Sequence, residues 1–329
     1  MFEGHRIICV TPAGRRRYLK LLVPQILACD LIDRYDLWLN TGDAGDLAFM
    51  DALARLDERV RLVPQPDGEK PGWDAIRGFF RDAQDEDAIY IRLDDDVVWL
   101  EPGFFEILLR FRIANPRYFL VMPLIINNAV CTSLLQNCGK VSPSRYVAAA
   151  CMDPVGWREA EFAVLLHRFF LDLIARGETA RLHCGPREIA LNRFSINAIC
   201  WFGRDLAAIG GKIRLAEEED LSNTIPTRLG RANCFCTDTI AAHFAFYVQR
   251  HVVDRSDVLE QYAQLLSKRQ ELQPLLLKAA AIADEIDARQ PPPVPPSARK
   301  RALRAIRRTL FPRRRKQPAP TLLEPGPLL

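Results

Sequence analysis

Apolar and polar positions follow two rhythms through the first hundred residues. Residues 5–11 (HRIICVT) form a short apolar run, broken by Pro12-Ala13-Gly14. Residues 15–29 then carry Tyr18, Leu19, Leu22, Ile26 and Leu27 at helical spacing. Residues 35–40 (YDLWLN) alternate with period two and end in Thr41-Gly42-Asp43. Residues 47–56 read as helix, 60–63 as a strand closed by Pro64, and 73–83 as helix. Residues 88–93 (AIYIRL) read as a strand that runs straight into Asp94-Asp95-Asp96. Strands alternating with helices predict an α/β protein with a mainly parallel central sheet flanked by helices on both faces. Ligands of such sheets bind at the C-terminal ends of the strands. Here those ends carry Thr11-Pro12-Ala13-Gly14, Asn40-Thr41-Gly42-Asp43 and the acid triplet.

The second half is less regular. Residues 101–116 predict a helix opened by Glu101 and Pro102, and 118–126 an apolar strand. Residues 127–156 mix Asn, Ser, Cys and Pro and read as loop and short strand. Residues 157–176 predict a helix ended by Gly177. A strand is expected over 192–201, a short helix over 205–209, and a helix over 217–225 that starts with four acids and stops before Pro226. Residues 235–245 read as extended or loop. Residues 256–288 are strongly helical, with Pro274 expected to split them. This divides the chain into a body over 1–255 (halves 1–126 and 127–255), C-terminal helices over 256–289, a stiff Pro-rich linker over 290–297, and a tail over 298–329.

Composition excludes whole classes. With 49% hydrophobic and 26% charged residues, the chain is neither disordered throughout nor collagen-like. No run approaches the roughly 20 apolar residues of a membrane-spanning helix, and MFEGHRIICV does not read as a secretory signal. The net charge of +4 hides an asymmetry: residues 297–329 carry +9, leaving −5 on the preceding body. The nine cysteines are scattered, and only Cys234 and Cys236 are close. That spacing offers no zinc framework and reads as buried free thiols of a reducing cytoplasm.

Three adjacent carboxylates after an apolar strand repel one another unless cations or water match them. Two acids two residues apart can hold one hard divalent cation, Mg²⁺ or Mn²⁺, with positions left for phosphate oxygens. The stretch IYIRLDDDVVWLEPGFFEILL resembles the region around the D-x-D motif of GT-A-fold glycosyltransferases. The order strand, Thr-Pro-x-Gly-Arg, helix, strand, Asn-Thr-x-Asp is similar to their nucleotide-binding half, and the resemblance spans about residues 5–255. It implies a GT-A-type, Rossmann-like sheet and transfer of a sugar from a UDP- or GDP-sugar to an acceptor hydroxyl, with inversion. Asp94 and Asp96 would be the D-x-D pair on Mn²⁺ or Mg²⁺, with Asp94 near the ribose and Asp95 open to a part in donor binding. Thr11 and Arg15 or Arg16 would meet the nucleotide. Asn40, Thr41 and Asp43 would recognise the base, and Trp73 and Arg77 the base or diphosphate.

The resemblance also gives weight to Glu217-Glu218-Glu219-Asp220, which otherwise reads as a solvated helix start. Inverting relatives place a general base at this distance after the D-x-D, so Glu218 is the first candidate, with Glu219 and Asp220 as alternates. His243 would complete the metal set of Asp94 and Asp96, and Arg250 could touch the diphosphate. The stretch 127–190 matches nothing in the family, which leaves the acceptor open between a saccharide and a lipid-linked one. In the tail, ten Lys/Arg over 299–316 surround an apolar face of Leu303, Ile306, Leu310 and Phe311. This pattern suits an anionic membrane surface through residues 298–316, with no specific nucleic acid. A cytoplasmic enzyme peripheral to the inner face of the membrane, acting in envelope or capsular polysaccharide or glycolipid synthesis, fits these features. The rivals are a sugar-phosphate nucleotidyltransferase, disfavoured by a strand-1 loop with only Gly14, and a non-catalytic scaffold of the same fold.

Overall fold

The computed structural model describes residues 1–66, 70–189, 192–214, 216–289 and 322–323. The expected linker and almost all of the basic tail lie outside the described residues. The first half alternates as the pattern requires: β1 (Arg6–Ala13), α1 (Arg16–Leu27), β2 (Arg34–Leu39), α2 (Ala44–Leu56), β3 (Val60–Val63), α3 (Ile76–Phe79) and β4 (Ala88–Leu93). There follow β5 (Val97–Leu100), α4 (Phe104–Ala114), β6 (Val121–Ile126), α5 (Ala129–Asn137), β7 (Ser142–Pro143), α6 (Ala160–Arg176), β8 (Arg187–Ile189), β9 (Ala198–Phe202) and α7 (Gly203–Ala207). The chain continues with α8 (Glu217–Glu219), α9 (Ile225–Leu229), β10 (Asn233–His243), α10 (Arg250–Val253), α11 (Val258–Leu266) and α12 (Gln273–Arg289). Leu322–Leu323, β11, pairs with β7.

A nine-stranded sheet runs in the order β3-β2-β1-β4-β9-β6-β10-β5, with β8 also paired to β10. The first four strands are parallel. β9 runs against both β4 and β6, β10 runs parallel to β6, and β5 and β8 run against β10. The fold is therefore α/β, with a central, mainly parallel sheet flanked by helices. Residues 7–13 of β1 and every residue of β4 and β6 are buried, which is why their sequences read as unbroken apolar runs rather than alternating ones. Arg16 ties three helices together, pairing with Asp43 and Asp46 at the start of α2 and with Asp287 near the end of α12.

Four local expectations are corrected. Residues 129–137 are helical, not loop: the Asn128 carboxamide accepts from Val130 N and Cys131 N and caps α5. The helical signal is diluted because the buried face of α5 includes Cys131, Thr132 and Ser133. Pro226 does not stop its helix, because a π-helical stretch over Asp220–Thr224 precedes it and the proline falls in the first turn of α9. Residues 73–83 are short helical pieces rather than one helix. The expected division of 256–288 is present: α11 ends at Leu266, and Pro274 falls in the first turn of α12. The strand expected over 192–201 begins only at Ala198, since Ser195 and Asn197 give their polar groups to the site.

β9 turns into α7 through Gly203, where a Cβ would lie 1.9 Å from the carbonyl oxygen of Asp85 at the entry to β4. No rotamer relieves a clash with backbone. Gly203→Ala is expected to cost about 1–3 kcal/mol by overpacking, read as a lower urea midpoint. An unchanged midpoint would show that the Asp85 turn yields freely.

Candidate functional site

The C-terminal ends of β1, β4, β6 and β10 meet at one edge of the sheet, and each delivers part of one charged cluster. β4 delivers the acid triplet. Asp95, 2% exposed, accepts from Gly14 N at 3.0 Å and from Arg15 Nε at 2.8 Å, so the turn after β1 closes over it. Asp96, equally buried, receives Arg15 Nη1 and Arg250 Nη2 on Oδ2, both at 3.0 Å, and faces His243 Nε2 from Oδ1 at 3.4 Å. Asp94 is turned elsewhere, to Arg92 Nη2 at 2.8 Å and Asn197 Nδ2 at 3.2 Å.

These contacts set the charge states. Burial alone raises a carboxyl, and it lifts Asp95 above the usual range against the pull of Arg15. Burial works the same way on Asp96, but Arg15, His243 and Arg250 outweigh it and hold that carboxyl well below the usual range. Asp96 is thus firmly held as a carboxylate. Arg92 is wholly buried in the otherwise apolar β4. Burial opposes its charge, but Glu217 and Asp94 restore it and raise its pKa. Glu217 accepts from both Arg92 nitrogens, at 2.8 and 3.2 Å, while burial pushes its carboxyl up to about 7. An unbroken chain of charged contacts, Asp94–Arg92–Glu217, therefore joins the acid triplet to the second acidic cluster.

In that cluster, Glu218 takes Arg193 Nη2 at 3.1 Å, and burial raises its carboxyl. Glu219 binds Asn223 Nδ2 at 2.9 Å, and Asp220 is buried and accepts from the Arg214 backbone N–H. The two asparagines after β6 hold both sides of the site. Asn127 Nδ2 donates to Phe244 O and Gln249 Oε1, and its carbonyl oxygen lies 3.2 Å from His243 Nδ1. Asn128 Nδ2 donates to Ser195 O and Asn197 Oδ1. Behind His243, buried His167 is pushed down to about 4 by desolvation and stays neutral. Its Nε2–H donates to Phe244 O, while Nδ1 accepts from Tyr262 OH.

The expected nucleotide residues are distributed unevenly. Arg15 is on the acids. Thr11 is fully buried, with its hydroxyl taken by Tyr35 OH at 3.0 Å. Asn40 clamps the backbone of Gly72 through both side-chain atoms and so brings Trp73, 73% exposed, and the half-buried Arg77 to the β2 end of the edge. Thr41 and Asp43 shape the turn into α2: Thr41 Oγ1 accepts from Asp43 N, and Asp43 caps the helix. The sequence reading passed over Arg92, Glu217, Asn127, Asn128 and Asn197. Only Arg92 carried a signal, as a charge inside an apolar strand.

The arrangement fits a divalent cation in part. Among the described residues no set of three or more His, Cys, Asp and Glu is gathered to hold a metal, so Asp94, Asp96 and His243 do not converge. Asp96 and His243 do. His243 Nδ1 lies 3.2 Å from Asn127 O, and its Nε2 faces Asp96 Oδ1 across 3.4 Å. An imidazole nitrogen and a carboxylate oxygen at that spacing can hold a proton or a cation between them. Two protein ligands suffice for Mg²⁺ or Mn²⁺ where phosphates complete the shell.

The sequence matches no protein-family model and no curated protein. Among solved structures it is similar to glucosyl-3-phosphoglycerate synthase from Mycobacterium tuberculosis in complex with Mn²⁺, UDP-glucose and phosphoglyceric acid. That likeness has 14% identity, covers 81% of this chain and 80% of that one, and has a TM-score of 0.44. A CMP:2-keto-3-deoxy-manno-octonic acid synthetase complexed with CTP matches at 10% identity over 79% of this chain and 99% of that one, with a TM-score of 0.43. A 4-diphosphocytidyl-2C-methyl-D-erythritol synthase from Anaerococcus prevotii matches at 11% identity over 80% and 97%, with a TM-score of 0.38. Likenesses this distant leave the reading of function to the chain's own residues.

Proposed function

We propose that the protein transfers a sugar from a nucleotide-diphosphate sugar to an acceptor hydroxyl, with a divalent cation held by Asp96 and His243. The observation that carries this reading is the meeting of buried Asp96 and His243 with half-buried Arg15 and Arg250 at the C-terminal edge of the sheet. The cation, when bound, supplies charge neutralisation on the leaving diphosphate. Arg15 and Arg250 supply further donors beside it, and Arg250 Nε is buried with no partner. Trp73, held out by the Asn40–Gly72 clamp, serves the base at the β2 end. Asp95 fixes Arg15 and the Gly14 turn, and Asp94 fixes Arg92.

Glu218 is the general base. Glu217 is locked on both oxygens by Arg92, whereas Glu218 has one arginine contact and a partly exposed carboxylate. A base works deprotonated, and Glu218 is raised above the ordinary carboxylate value, so the acid limb of the rate profile lies above that value. Glu218→Gln is expected to lower the transfer rate about 10²–10⁴-fold and to remove that limb, while nucleotide binding stays unchanged. A variant that keeps both rate and limb would take the base role from Glu218. Residues 298–316 fit an anionic bilayer surface, which would bring a lipid-linked or envelope acceptor to the enzyme.

The reading is tested by calorimetric titration of the full chain with UDP and GDP, with and without Mn²⁺. Metal-dependent binding of one nucleotide is expected. A scaffold without chemistry draws support from one observation, that arginines already neutralise Asp95 and Asp96. Such a scaffold would bind neither nucleotide more tightly when Mn²⁺ is added.

A further inference from the structure

The loop over residues 146–157, between β7 and α6, has no assigned role, yet it lies between the two halves of the candidate site. Its shape is fixed from within. Asp153, 5% exposed, accepts from Val155 N and Gly156 N on Oδ1, both at 2.8 Å, and from Ala148 N on Oδ2 at 3.0 Å. Gly156 is pressed so closely against Ala129 and Val147 that a Cβ would lie 2.9 Å from each. Midway along the loop, burial raises the Cys151 thiol, and the charges of Glu218 and Arg193 also reach it. At the C-terminal end of the loop, Trp157 stacks edge-on against Tyr247 at 5.6 Å between ring centroids, and tilted against Phe246 at 6.2 Å. Phe246 packs on the His243 ring at 4.5 Å. Three aromatic rings therefore lead outward from the cation-facing histidine, and the last, Tyr247, is 73% exposed.

We propose that Tyr247, backed by the buried Trp157, forms the acceptor subsite and binds a saccharide ring by its C–H face. A pyranose has one apolar face and a polar rim of hydroxyls. An exposed aromatic ring backed by a rigid second one matches that face at low entropic cost. The position also separates acceptor from donor. Trp73 and Asn40 lie at the β2 end of the edge, whereas Tyr247 follows β10, on the far side of β4 in the sheet order. A rigid loop reaching from base to cation ligand is what holds an acceptor oxygen in line for attack. The subsite rests on the transferase reading for its role, but its ligand chemistry stands on the rings.

The test uses the full-length protein, saturation-transfer NMR and a fixed probe panel of cellobiose, maltose, lactose and N,N′-diacetylchitobiose. UDP with Mn²⁺ is titrated separately by calorimetry. Transfer to the ring C–H protons of at least one disaccharide is expected. Its affinity should fall about tenfold or more in Tyr247→Ala, be retained in Tyr247→Phe, and fall likewise in Trp157→Ala. UDP affinity should not change in Tyr247→Ala. No transfer to any member, or transfer indifferent to Tyr247→Ala, overturns the subsite. Loss of UDP affinity in Tyr247→Ala makes the platform a base-stacking one and also overturns it. Saccharide contact without metal-dependent nucleotide binding removes the transferase reading and leaves the saccharide platform standing.

Discussion

Asp96→Asn is expected to abolish the Mn²⁺-dependent part of nucleotide binding and to lower sugar transfer about a thousandfold, equivalent to about 4 kcal/mol. Asp96 is held firmly as a carboxylate and is the member of the buried pair that faces His243. The amide keeps the shape and one oxygen but loses the charge that draws a divalent cation. The substitution also releases Arg15 and Arg250 from Asp96 Oδ2. Freed guanidiniums meet phosphate well without metal. Nucleotide affinity in EDTA should therefore hold or rise while affinity in Mn²⁺ falls to meet it. The crossing of those two trends is specific, because a merely misfolded variant loses both. Asp96→Asn binding UDP or GDP with the parent's metal dependence would end the proposal that Asp96 holds the cation. His243→Ala should reproduce the loss with Mn²⁺ but leave Arg15 and Arg250 on Asp96, so its EDTA affinity should stay at the parent value.

The first half of the fold was legible because its strands and helices alternate at their own periods, and every chain break fell at Gly, Pro or an Asp/Asn turn. The triplet was visible for a related reason, since acids at the end of a strand buried along its whole length have no structural need to be there. What the sequence hid is pairing. Nothing in Arg92 or Glu217 announces that residues 125 positions apart make a bidentate contact, and Asn127 and Asn128 look like ordinary loop residues until His243 and Asn197 arrive against them. The helix over 129–137 was missed because Thr132 and Ser133 are polar by type but buried in fact. Trp157 was read only as a helix start, because its partners Phe246 and Tyr247 lie some ninety residues later in the chain.

Arg92→Leu should be the most damaging single change to the fold, at about 3–5 kcal/mol. Leucine fits an apolar strand, so the cost comes from what it abandons: Glu217 and Asp94 lose a buried counter-charge. The effect should depend on pH in a definite direction. In the parent, Glu217 titrates near 7 in the folded protein against 4.5 ordinarily. Between those values the folded protein keeps a proton that the unfolded chain has released, so this group's contribution to stability is full below 4.5 and is lost as pH rises through 7. Removing Arg92 takes away the attraction that opposes burial and drives the folded value higher. The variant's deficit should then be small at pH 5, where Glu217 can stay protonated, and large at pH 8, where it must ionise in place or unfold. Adding Glu217→Leu should recover much of the loss at pH 8, because a buried pair replaced whole by apolar groups costs little while half a pair costs a great deal. Urea unfolding of the parent, the single variant and the double variant at both pH values reads all of this. A deficit equal at pH 5 and pH 8, or a double variant no more stable than the single one, would mean that Arg92 serves β4 by packing alone and that the link from the acid triplet to Glu217 carries no energy.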